Sequence, residues 1–349
     1  MAHLAQVARE FRIGLKLLAA SFAVIAILFI FFTGGQIVKN IFFPTPPPPP
    51  EQKFGKLPQV TFPAQNPQNF EYRINTLTGK LPIFTDACIF FDKEYHCQMK
   101  VYRVKKKEPS LVALKSARDK LKLLGFTENE ARLSEEEYQW SNSSGQAIRM
   151  NILTGNFKIL SNFLSEPLQP LTGEVARKEG AYEVVTRLLT NLDLEIEDLD
   201  KDISTLTYFK LENGALTKAQ SLNEANFARL DLFQKNLDDH KIYYPGLTES
   251  IMHFLIKGDS SLPIVNASFS HFTPDEANSS TYPIKTAEVA FEDLKQGNAL
   301  VFADNKGEKL IDITDVSLGY YIGDESQQYF LPIVIFKGKG FTAYVQAIP

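Results

Sequence analysis

From Leu17 to Val38 the chain carries no Asp, Glu, Lys or Arg, and its centre, LLAASFAVIAILFIFF, is apolar on every face. Beyond it, apolar and polar residues are interleaved with short periods. Three stretches have helical spacing. The first follows Pro109, with Ser110 as N-cap, Leu111, Leu114, Ala117, Leu121 and Leu124 on one face, and Gly125 as the stop. The second follows Thr172 and places Val175, Tyr182, Val185, Leu189 and Leu192 on one side. The third follows Thr286, with Ala287, Ala290, Phe291 and Leu294 together and Gly297 as the stop.

Between and after these helices the period drops to two. Val316, Leu318, Tyr320 and Ile322 alternate with Ser317, Gly319 and Tyr321, and Tyr329, Leu331, Ile333 and Ile335, then Phe341, Ala343, Val345 and Ala347, keep the period of two, with turns at Gly323–Ser326 and Gly338–Gly340. This predicts an antiparallel meander with at least one buried face. Similar material follows the first helix (138–140, 147–153 and 157–160) and the second (206–211 and 227–233). The expected fold class is therefore α+β: an N-terminal transmembrane helix, then helix-plus-antiparallel-sheet units repeated about three times outside the membrane.

The apolar run is long enough to span a bilayer, which takes about 20 helical residues. Arg9, Arg12 and Lys16 precede it, opposed by Glu10, and Lys39 alone follows, so the positive-inside rule places the N-terminus in the cytoplasm and the bulk outside. A cleaved signal peptide would have a shorter apolar core and a small-residue cleavage site. The alanines at 19, 20, 23 and 26 and Ser21 would permit close helix packing, although lipid-facing alanines are the plainer reading. Pro44 and Pro46–Pro50, with Pro58, Pro63 and Pro67 beyond them, predict an extended stalk. The expected boundaries are 1–16 cytoplasmic, 17–38 transmembrane, 39–70 proline-rich linker, and α+β units at 71–170, 171–275 and 276–349.

Composition refines this only slightly. A net charge of −4 over 349 residues argues against nucleic acid as a partner, because phosphate binding needs a basic surface. Twelve per cent aromatic residues suits β-rich packing.

The last third carries a resemblance. Tyr282–Glu288 leads into a helix ending at Leu294–Gly297, followed by Val316–Tyr321, Tyr329–Phe336 and Phe341–Ile348. This resembles the C-terminal domain of the YycH and YycI regulatory proteins and, more loosely, PepSY-type modules. The resemblance covers about 70 residues and consists of strand and turn positions without a reactive group. It implies a single-pass bacterial protein whose outer domains modulate a membrane sensor kinase. The proline stalk departs from the family pattern.

Candidate chemistry is sparse. Cys88 and Cys97 are the two cysteines, on a segment, Ala87–Val104, that reads as a hairpin turning near Asp92–Glu94. A disulfide is feasible there, and two unpaired half-buried thiols are the alternative. The five histidines (His3, His96, His240, His253 and His271) come without a metal-ligand spacing such as HExxH or CxxC. Asp198, Asp200 and Asp202 mimic the start of an EF-hand loop, but Ile203 stands where glycine is required and Phe209 where glutamate is. Lys105–Lys107 reads as a solvated turn, and Asn142, Asn266 and Asn278 open N-x-S sequons. No GxSxG, SxxK or glycine-rich phosphate loop occurs. The expectation is a non-enzymatic protein with no catalytic, metal or cofactor residue. Its partners would be the bilayer, through residues 17–38, and a membrane or envelope protein. Its role would be that of a regulatory or sensory module, or of an envelope module binding peptide, glycan or a peptidase in a groove lined by Tyr and Phe.

Overall fold

The computed structural model describes residues 46–65, 69–165, 170–171, 173–194, 196–258, 263–304, 309–324 and 327–349. They fall into two compact units, 1–49 with 89–96, and 50–88 with 97–349. The described part of the first is the tip of a hairpin. Its strands are β2 (Cys88–Phe91) and β3 (Glu94–Val104), and both central turn residues have positive φ, 48° at Asp92 and 71° at Lys93. That is the two-residue turn whose twist matches the flanking strands. Phe90 and Tyr95 meet at 5.0 Å across it.

The second unit is built on two sheets of nine strands each. The spine of one is β1 (Glu71–Ile74), β16 (Leu310–Tyr321), β17 (Tyr329–Gly338), β18 (Phe341–Gln346) and β15 (Leu300–Ala303), in that spatial order. Two pairings on β16 are parallel, those of β1 and of the short β11 (Ile242–Tyr243). β3 joins through β17 and also pairs β14 (Pro274–Pro283) and β2. The other sheet runs β4 (Glu128–Arg132), β5 (Glu137–Ser141), β6 (Ala147–Asn151), β7 (Phe157–Leu160), β13 (Ile264–Phe269), β12 (Met252–Lys257), β10 (Phe227–Gln234), β8 (Leu199–Glu212) and β9 (Ala215–Lys218).

The expected α+β class with three repeated helix-plus-sheet units does not hold. Among the described residues eighteen strands stand against three α-helices: α1 (Ala113–Leu123), α2 (Lys178–Asn191) and α3 (Ala287–Lys295). Strands from the first two expected units merge into one sheet where Phe157–Ile159 pair with Phe269–Ala267. β1 and β3, also expected in the first unit, belong to the C-terminal sheet. The reason is physical: a period of two specifies which residues face inward but not which strand lies alongside.

The expected single-pass membrane anchor and membrane localisation are also not supported. Among the described residues no helix is long and apolar enough to cross a membrane. The segments 1–16 and 17–38 lie outside the described residues.

The helices themselves form close to where their periodicity puts them. Thr286 caps α3, its Oγ1 accepting the Val289 N–H at 3.4 Å, and Gly297 ends it with φ 82°. α1 starts later than expected, at Ala113, leaving Leu111 fully exposed. Its buried positions are Ala113, Ala117 and Leu121, and Gly125 follows with φ 81°.

The C-terminal meander is buried on both faces. α3 covers one, with Ala290, Phe291 and Leu294 in the same core as Val334, Phe336 and Ala343. The second face carries Tyr243, Tyr282, Tyr321, Tyr329 and Tyr344, and is covered by Phe54, Leu57, Val60 and Phe62. Residues 50–65 form neither helix nor strand, turn at Lys53–Phe54 between Gln52 (φ 49°) and Gly55 (φ 68°), and lie as a strap on the sheet. The Gln52 N–H donates to Thr281 O at 3.0 Å, the Phe54 N–H to Tyr282 OH at 2.8 Å, and the Val60 N–H to Gln346 Oε1 at 2.7 Å. Gln65 closes it, exchanging two hydrogen bonds with the Val301 backbone at 2.9 and 2.8 Å.

Candidate functional site

A cleft of about 690 Å³ opens in the second unit. One side is the end of β3 and the run Lys105–Lys107; the opposite side is β6, β7 and their connecting loop, with residues 269–273 below.

Local sequence builds that loop. Asn151 Oδ1 accepts from the Leu153 and Thr154 N–H groups, both at 2.9 Å, a turn that asparagine forms readily. Gly155 follows with φ 79°, a left-handed conformation that favours glycine, and a Cβ there would have to displace the Leu194 side-chain methyl 2.4 Å away. Asn156 Oδ1 accepts the His271 N–H at 3.1 Å and ties the loop to the residue below.

His271 is the centre of a connected polar group. Its Nε2 lies 2.9 and 3.0 Å from the two oxygens of Asp198, and its ring stacks on Phe269 at 5.6 Å. Gln234 Nε2 donates to Asp198 Oδ2 at 2.7 Å and to Phe272 O at 2.9 Å, and the Tyr244 hydroxyl donates to Gln234 Oε1 at 3.1 Å. Burial acts to raise the Asp198 pKa, but the hydrogen bonds and charge of His271, with Gln234, outweigh it and hold the carboxyl below its usual value. Burial pushes the Tyr244 phenol well above its usual range. Hydrogen bonds connect the group throughout, and His271 brings it to the cleft. Among the described residues no serine or cysteine is hydrogen-bonded to the His271 ring, and both cysteines are engaged elsewhere.

Charge is concentrated on the walls. Lys105, Lys106, Lys107 and Lys158 have no ion-pair partner among the described residues. Arg149 on β6 stands directly opposite Lys158 on β7, and its Nε donates to the neutral Gln139 at 2.7 Å. The acidic groups present are Glu136, which accepts from Asn151 Nδ2 at 3.0 Å, Glu137 and Asp324.

The residues singled out in the sequence are scattered. Cys88 and Cys97 are joined in a disulfide at the base of the β2–β3 hairpin. His96 sits on that hairpin. His240 bonds Asp86 at 3.0 Å, and His253 Nδ1 lies 2.9 Å from Ser250 O. His3 lies outside the described residues. The Asp198, Asp200 and Asp202 series is split: Asp198 turns to His271, while Asp200 Oδ1 accepts the Asp202 N–H at 2.8 Å. The Asn142 side chain is buried and bonded to Gln146 and Ser144. The tyrosine-rich face is no open groove, because the strap covers it. Sequence reasoning missed the cleft, since Lys105–Lys107 and Asp198 read as solvated loops and nothing linked them to His271.

No protein-family profile matches the chain, and no curated protein does. The C-terminal resemblance to YycH and YycI is therefore not shown. Among solved structures, the chain is similar to the C-terminal domain of YpeB from Bacillus megaterium, at 12% identity and a TM-score of 0.31, covering 70% of this chain and 95% of that one. It is also similar to an uncharacterized protein from Eubacterium rectale, at 9% identity and a TM-score of 0.33, covering 71% and 82%.

Proposed function

We propose that this chain is an extracytoplasmic binding module that works by protein contact without catalysis, and that the cleft above His271 receives its partner. The observation that carries this is the pairing of a hydrogen-bonded polar floor with charged walls whose ammonium groups have no ion-pair partner among the described residues. Here the histidine's hydrogen bonds serve Asp198 and the loop. The disulfide and the lack of a free thiol agree with an oxidising compartment. The regulatory role implied by the C-terminal resemblance would make a sensor kinase the partner.

The test is site-specific photo-cross-linking in the producing cell, with the reactive group at Lys106 and, as a control, at Lys218. Lys218 lies on β9, the sheet edge five strands away from β7. One protein captured from position 106, absent from 218 and lost in the Lys158→Glu variant, is the expected result. Equal capture from both positions refutes the reading.

A further inference from the structure

We infer that the segment the cleft receives is acidic: an extended peptide whose carboxylates sit against Lys105, Lys106, Lys107, Arg149 and Lys158. This rests on the reading of the cleft as a protein-contact site, and names what that site recognises.

Three observations converge. First, the cations are unspent. Some cations elsewhere are ion-paired, with Arg73 on Asp312 at 2.6 Å, Arg118 on Glu130 at 2.6 Å and Lys285 on Asp293 at 2.8 Å, and others, such as Lys218, stand singly among the described residues. Around the cleft Lys105, Lys106, Lys107 and Lys158 have no such partner among the described residues, although the whole chain is net acidic at −4. Second, Arg149 and Lys158 occupy directly opposed positions on adjacent strands. Like charges so placed oppose folding, and a bound carboxylate between them removes the conflict. Third, the cleft is not uniformly basic. Glu136, Glu137 and Asp324 also border it, and the partly exposed Phe272 adds apolar surface. A polymer with one charge per repeat, such as a polyphosphate, would meet those carboxylates. A peptide can place carboxylates against the lysines and apolar side chains beside them. The exposed Gln328 amide adds a partner for peptide backbone.

The experiment uses the full chain and two fluorescein-labelled decapeptides, one alternating Glu with Leu and one with Gln replacing every Glu. Fluorescence anisotropy reads binding at low and high salt, with inorganic polyphosphate as competitor. The Glu peptide is expected to bind about tenfold or more tightly than the Gln peptide at low salt. That preference should vanish in a Lys106→Glu/Lys158→Glu variant, whose two exposed positions leave the fold intact by circular dichroism, and survive in Lys218→Glu. Equal binding of both peptides, lost in the cleft variant, overturns the acidic preference while leaving the protein-contact reading standing. Polyphosphate binding more tightly than the Glu peptide overturns the peptide class. Failure of both peptides, with cross-linking from position 106 unaltered by the cleft variant, removes the contact reading and the inference together.

Discussion

The strapped face of the C-terminal sheet and the cleft face of the other sheet are made of similar strands, yet they meet their surroundings in opposite ways. On the first, five tyrosines are sealed beneath Phe54, Leu57, Val60 and Phe62, and the strap's backbone is bonded to Thr281, Tyr282 and Gln346. On the second, Arg149 and Lys158 oppose each other without a carboxylate between them. Apolar and aromatic surface is stabilised by any cover of the right shape, which the chain itself can supply. Charge of one sign needs a partner of the other, and here the chain withholds it. The covered face accounts for stability, and the uncovered one is where a function is to be sought.

The largest expected effect breaks the covered face. Replacing Phe54 and Phe62 together by alanine should cost about 3 kcal/mol, since a fully buried Phe→Ala costs ~3–5 kcal/mol and both rings are half-buried. Urea unfolding measures this, and limited proteolysis should cut first between residues 50 and 65. If stability is unchanged, the strap is an ornament on the sheet and the contrast fails.

A smaller effect concerns the cleft floor. The Asp198 carboxyl has its folded-state pKa lowered, so its contribution is full above the unfolded value of about 3.9 and is lost as pH falls through the folded value. Asp198→Asn should lower stability by about 1–2 kcal/mol near neutral pH, as expected for losing hydrogen bonds to a charged group. Below about pH 3 the difference from the parent chain should shrink. Unfolding curves at a series of pH values check both size and sign; a difference that grows on acidification contradicts the assignment.

The smallest effect has the opposite sign. Lys158→Gln removes one member of the Arg149–Lys158 pair and should raise stability by a few tenths of a kcal/mol, on the ~0.2–1 kcal/mol scale of cross-strand pairs. It should also weaken the Glu peptide. Gain of stability with loss of binding sharpens the comparison, whereas loss of both would mean that Lys158 supports the fold.

How much of this was legible in the chain can be argued residue by residue. Thr286, the apolar face through Leu294, and Gly297 predicted α3 because capping and periodicity are local. The alternation from Val316 to Ala347 predicted the meander for the same reason. Leu111 misled, since helical spacing upstream of Ala113 does not ensure that a neighbour is there to bury it. Of the candidate site, His271 and Asp198 were noticed separately, 73 residues apart, and nothing local connects them.

The sequence by itself determined which stretches are helical or extended, where the turns fall, and which face of each strand is apolar. It also confined the disulfide to one pair of residues. Those properties depend on φ preferences, caps and side-chain periods within a few residues. Only the tertiary structure decided that β7 lies beside β13 and that residues 50–65 fold back over the tyrosine face. It alone brought Lys105, Arg149, Lys158 and His271 around one cleft and set Asp198 against His271. Strand pairing and long-range burial are settled by the free energy of the whole assembly, in which any apolar face can cover any other of matching shape.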